Sequence, residues 1–165
     1  MKIYNIAGGY SIKEIDAIEM RRILDLHFNK CFANRANAEI KKPSDASIEK
    51  IKERGAKLHR WELRLGVYHE DKIVGWHFGY ATDAETYYMQ NSAVLTEFGN
   101  KGVYSRLLKI ILSHVADEGF QVVTSLHHAN NAAVIIPKLK TGFIISGTQF
   151  HERFRHLIEM KYFVD

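Results

Sequence analysis

Hydrophobic residues recur along this chain in two rhythms, and the change of rhythm marks out the elements. Met20, Ile23, Leu24, His27, Phe28, Cys31 and Phe32 follow helical spacing and form one buried stripe. From Trp61 the period falls to two. WELRLGVYHE reads as a strand, the acidic pair Glu70-Asp71 as a turn, and KIVGWHFGYATD as the antiparallel partner. In that partner Val74, Trp76, Phe78 and Tyr80 share one face, and Ile73, Gly75, His77 and Gly79 share the other. TYYMQNSAVLT, residues 86–96, adds a third strand. An amphipathic helix follows over residues 102–118, with Val103, Leu107, Leu108, Ile110, Ile111 and Val115 on its apolar face and Gly119 as its stop.

The ends of the chain are read by the same signals. Residues 2–7 form a short first strand that Gly8 and Gly9 break. Ser11 with Glu14, and Asp16 with Glu19, each have capping-box spacing, so a helix is expected to begin there. Residues 34–43 read as a polar loop. Asp45 is placed to cap a second helix with Ile48, Ile51 and Leu58 on its inner face. QVVTSLH is a short strand, so residues 86–127 form a βαβ crossover with parallel outer strands. A helix over 131–140 ends at Gly142, FIISGTQF is the next strand, and a last strand over 154–164 places Phe154, His156, Ile158, Met160, Tyr162 and Val164 on one face. The sum is an α/β domain spanning residues 1–165, with a mixed, mostly antiparallel sheet of about seven strands and about four helices.

Composition narrows the function classes. Apolar residues make up 46% and charged residues 25%, which is ordinary for a folded soluble domain of 165 residues. The N-terminus lacks an unbroken apolar run, no stretch is long enough to span a bilayer, and Cys31 stands alone, which points to a cytoplasmic protein without a membrane partner. The net charge of +4 suits a polyanionic ligand and is too scattered for a nucleic-acid surface. His127 and His128 are adjacent and point to opposite strand faces, so they do not chelate one metal, and no metal site is expected.

The stretch SAVLTEFGNKGVYSRLLKIIL, residues 92–112, carries the chemistry. A strand ends, a glycine-containing loop turns, and a helix starts with unpaired N–H groups and the positive end of its dipole. Gly99 and Gly102 permit close backbone approach, and Lys101 adds a positive charge. Such a site suits a phosphate or diphosphate. It lacks the Gly-Lys-Ser/Thr of a P-loop and the G-x-G-x-x-G of a dinucleotide fold.

This stretch resembles the signature of the GNAT (Gcn5-related N-acetyltransferase) family, in which a strand valine leads into Arg/Gln-x-x-Gly-x-Gly/Ala at a helix start. Val94, Thr96, Glu97, Phe98, Lys101, Gly102, Val103, Leu107 and Leu108 align with it. EDKIVG (residues 70–75), Asn131 and Gly142-Phe143 match further family elements, so the resemblance covers residues 61–150. Three positions depart from the pattern. Gly99 replaces the first Arg/Gln, Asn100 a common glycine, and Tyr104 the final small residue.

The resemblance implies transfer of an acyl group from acetyl-CoA, or another acyl-CoA, to a primary amine of a small molecule or peptide. It implies cofactor contacts at Val94, Gly99, Asn100, Lys101, Gly102, Val103, Tyr104, Asn131 and Lys138. Lys138 stands where the family often has a tyrosine acid, so Tyr104 becomes the candidate proton donor. Acyl transfer needs a neutral amine, and for a lysine-like amine of pKa about 10.4 deprotonation at pH 7 costs roughly 4–5 kcal/mol. Glu85, Glu97, His77 and His128 are the base candidates; the glycines flanking His77 along its face are expected to leave room for a ligand. Tyr87 and Tyr88 read as sheet packing and Cys31 as core. A catalytically silent module with the same fold, and an enzyme for long acyl chains, are the alternatives. The apolar last strand suggests a sheet-extending homodimer.

Overall fold

The computed structural model describes residues 2–32, 44–151 and 154–164. Eight strands form one sheet: Ile3–Ile6 (β1), Tyr10–Glu14 (β2), Glu62–His69 (β3), Lys72–Ala81 (β4), Thr86–Val94 (β5), Val122–His127 (β6), Ile144–His151 (β7) and Arg155–Phe163 (β8). Their order is β1-β2-β3-β4-β5-β6-β8-β7. Every pairing is antiparallel except that of β5 with β6, so the mixed sheet and the βαβ crossover are as expected, with one strand more than seven. The helices are Ala17–Phe32 (α1), Asp45–Ala56 (α2), Val103–Asp117 (α3) and Ala132–Thr141 (α4).

The extra strand is β2. Ser11 and Glu14, expected at a helix start, lie in a ribbon between β1 and β3. Alternation decides the matter: Tyr10 and Ile12 are buried on one face. The second capping pair holds, and the Asp16 carboxylate accepts from the Glu19 amide at 2.8 Å. For α2 the cap is Ser44 rather than Asp45; its hydroxyl accepts from the Ser47 amide at 3.3 Å. The inner face assigned to α2 is not buried, since Ile48, Ile51 and Leu58 are exposed by 36%, 50% and 64%. The loop expected over residues 34–43 lies outside the described residues.

The sheet is packed on both faces. On one, Leu107, Leu108, Ile111 and Val115 of α3 meet Leu63, Leu65, Val67, Val123 and Met160. Each such fully buried aliphatic side chain contributes about 1.5–3 kcal/mol. On the other, Met20 and Ile23 of α1 meet Trp76 and Ala93. The face expected to hold Val74 with Trp76 is split, because the β3–β4 register shifts beside Val74 and sends the two side chains to opposite cores. The Glu70-Asp71 turn is as expected; both residues have positive φ, 49° and 62°, as a two-residue hairpin loop requires.

Two features position the site. β5 and β6 are paired only at Thr86–Tyr88 with Val122–Thr124; beyond those three rungs they diverge. β8 lies between β6 and β7, so it cannot extend the sheet into a partner as the sequence suggested; β7 is the edge.

Candidate active site

Two cavities open where β5 and β6 part. The first, about 660 Å³, runs between α1, the end of β5 and the start of α4. The second, about 410 Å³, lies against the loop before α3. Phe32, Ser92, Asn131 and Val134 line both, so the cavities adjoin at the end of β5.

The loop that shapes the second cavity begins with a 3-10 turn at Thr96–Phe98. Asn100 and Gly102 then take positive φ, 58° and 71°, which swings the chain into α3. Gly102 caps α3 without a side-chain hydrogen bond, and no acidic residue occupies the first turn. The amides of the first turn therefore remain available to an anion. Val94, Gly99, Asn100, Gly102, Val103, Tyr104 and Asn131, all expected at a cofactor, line this cavity. Lys101 does not; it is exposed with its ammonium 5.4 Å from the Phe98 ring centre. The Tyr104 hydroxyl is buried and has no hydrogen-bond partner, alone among the buried side-chain polar atoms of the described residues. Burial pushes its pKa up, so it remains a neutral donor. An unpaired buried donor costs free energy until something accepts from it.

His77 is not beneath an open space. It is fully buried, and neither cavity reaches it. The room expected above Gly79 is filled by Tyr87: a methyl group on Gly79 would lie 2.1 Å from the Tyr87 hydroxyl. The histidine bridges two hydroxyls, with Nε2 2.6 Å from Tyr87 and Nδ1 2.7 Å from Ser92. Burial, then the charges of Lys138 and His114, drive its pKa down to about 3, so the ring is neutral. The network assigns the tautomer. The Tyr87 hydroxyl has Nε2 as its one acceptor, so it donates there. Nδ1 then carries the ring proton and donates to Ser92, whose own hydrogen is left for the cavities.

Lys138 also departs from expectation. It was expected at the cofactor, but it lines the first cavity and not the second, and it is fully buried. Nζ donates to the Ser125 hydroxyl at 2.6 Å and to the Met89 sulfur at 3.3 Å. Its ammonium sits 4.6 Å from the Phe143 ring centre, and burial lowers its pKa to about 7.

The remaining candidates divide by position. Glu85 is exposed beside the start of β5, where its carbonyl accepts from Gln121 and Val122, and its carboxylate lines neither cavity. Glu97 is likewise exposed and off the walls. His127, His128 and Tyr88 line the first cavity, and Cys31 lines the second. Ser92 was not anticipated. Its signal is the register that sets it directly across from His77.

A splayed mixed sheet with an anion-receptive helix start beside a second, larger cavity defines a ligand-binding α/β class. The model of the acetyltransferase (GNAT) family matches residues 21–139, and the chain belongs to that family. Solved structures share the fold. A ribosomal-protein-S5-alanine acetyltransferase from Vibrio fischeri superposes with a TM-score of 0.72 at 12% identity, covering 100% of this chain and 98% of that one. An acetyltransferase from Salmonella typhimurium that modifies the N-terminal serine of ribosomal protein L7/L12 gives 0.70 at 14% identity, covering 99% and 100%. A spermidine N-acetyltransferase from Vibrio cholerae, in complex with CoA and spermine, gives 0.67 at 13%, covering 94% and 96%. No curated protein matches the sequence. Among the described residues, no helix is long and apolar enough to cross a membrane.

Proposed function

We propose that this chain transfers an acetyl group, or another acyl group, from acyl-CoA to a primary amine. The second cavity holds the acyl-CoA and the first holds the amine. One observation carries the reading: the cavities meet at Ser92 and Asn131, with an uncapped helix start and an unpaired tyrosine hydroxyl on the acyl-CoA side. These donors fit a diphosphate and its amide-rich arm. Bound acyl-CoA supplies an activated thioester.

The chain's own groups have separate tasks. Ser92, oriented by His77 and Tyr87, points a hydrogen-bond donor at the junction, where negative charge develops on the acyl oxygen. His77 is thus a positioning residue. His128, the one base candidate on the wall of the first cavity, takes the amine proton. Tyr104 holds a hydrogen bond rather than acting as an acid. Its raised pKa makes proton transfer to a thiolate of the ordinary thiol range uphill.

Acetyl-CoA at about 100 times its Kd should stabilise the protein by roughly 2.7 kcal/mol, a rise of about 5–10 °C in melting temperature. In Tyr104→Phe the rise should shrink by the equivalent of about 0.5–1.5 kcal/mol, one hydrogen bond. No rise at millimolar acetyl-CoA would mean that this module has lost its acyl-CoA site, and the enzyme reading would fall.

A further inference from the structure

Among the described residues, the first cavity is lined by a buried lysine with no acid beside it. Lys138 is fully buried on its wall, and its two protein partners, a hydroxyl and a thioether, are both uncharged. An ammonium has three donors, so one is left unmatched. An ion out of water without a counter-ion is costly, and the site meets that cost only by losing the proton or receiving an anion. Arg21, exposed on the same cavity, makes no ion pair among the described residues. Arg64 is already paired with Glu62. The described lining includes no Asp or Glu.

We infer that the amine acceptor carries an anionic group, a carboxylate in the simplest case, that seats against Lys138 with Arg21 at the exposed rim. The inference rests on the acyltransferase reading for the word acceptor, but the anion seat itself does not need acyl-CoA. It has two chemical consequences. A carboxylate completes the buried ion and takes charge-assisted hydrogen bonds. A polyamine brings several positive charges to a wall that already has them, and like charge at short range excludes it. The same positive field favours the neutral form of the incoming amine, which is the form that attacks.

The test pairs binding with turnover. Calorimetry of acetate and of 3-phenylpropionate is run on the wild type, Lys138→Met and Arg21→Ala. Methionine at position 138 keeps the volume and removes an uncompensated buried charge, and Arg21 is on the surface, so both variants should fold. The expected result is carboxylate binding at least tenfold weaker in Lys138→Met and a few-fold weaker in Arg21→Ala. CoA release from acetyl-CoA is then compared for phenylalanine against phenethylamine, leucine against isoamylamine, and spermidine. The acids should exceed their decarboxylated partners by at least tenfold in kcat/KM, chiefly through KM, and Lys138→Met should erase the difference. The inference is overturned if neither carboxylate binds the wild type more tightly than Lys138→Met, or if spermidine is the better acceptor. Failure of the acyltransferase reading is read separately, as the absence of an acetyl-CoA thermal shift while carboxylate binding persists.

Discussion

Replacing Gly79 by alanine is expected to destabilise the protein by about 3–5 kcal/mol. The added methyl group would meet the Tyr87 hydroxyl at 2.1 Å, its ring carbon at 2.5 Å and the Tyr88 carbonyl oxygen at 2.6 Å. A flexible side-chain end could yield; the Tyr88 carbonyl belongs to the paired strand and cannot move without opening the sheet. The β4–β5 register shifts beside Gly79, so the glycine is what lets Tyr87 cross its own strand partner and reach His77. Pushing Tyr87 aside leaves His77 Nε2 buried and unpaired, which adds to the steric cost. A loss of this size is a large share of a typical 5–15 kcal/mol of total stability. Urea melts of Gly79→Ala, Tyr87→Phe and the double variant check it. Removing the hydroxyl should relieve part of the clash, so the two losses should not add. Strict additivity, or a loss below about 1 kcal/mol, would show that Tyr87 is not held over Gly79.

A second large effect is acid sensitivity traceable to His77. Its folded pKa of about 3 lies below the ordinary 6.5, so the unfolded chain binds a proton in this window that the folded chain refuses. Its contribution is therefore fully present above pH 6.5 and is lost progressively as the pH falls from 6.5 to 3. The full span is on the order of 5 kcal/mol, with about 3 kcal/mol gone by pH 4.5. The measurement is the urea midpoint of wild type and His77→Gln at pH 7.5 and 4.5. Glutamine does not titrate, so the variant should lose less stability on acidification than the wild type by about that amount. Equal losses in the two proteins would place the acid-labile group elsewhere.

Much of the architecture was legible because strong periodicity met unambiguous punctuation. The β3–β4–β5 meander, α3 and β6 were readable from alternation, the Glu70-Asp71 turn and the Gly119 stop. β2 was not, because five residues are too few for alternation to outvote two capping signatures, and Ser11 to Glu14 satisfy one of them by coincidence. The loop before α3 was readable only in part: Gly102 takes positive φ as a glycine there suggests, but the other positive φ falls on Asn100 and not on Gly99. The side-chain network behind it was not. The pairing of His77 with Ser92 depends on strand register, and its pairing with Tyr87 depends on a register shift at Gly79. Lys138 near the end of a helix reads as a solvated cation. Only the packing of α4 against the sheet reveals that its stem and its charge are both inside.

The brief pairing of β5 with β6 has a mechanical consequence. Three rungs, Thr86–Tyr88 with Val122–Thr124, together with α3, tie the half of the molecule built from β1 to β5 to the half built from β6 to β8. The two strands therefore part like the blades of open shears, joined at those rungs and apart at Ser92 and His128. A ligand lodged between the end of β5 and the start of α4 would hold that gap at one width. Amide hydrogen exchange at Val122 to Thr124 should report the pivot tightening, slowing when acetyl-CoA is bound. Val122 to Thr124, which line neither cavity, would then gauge the gap without touching a ligand.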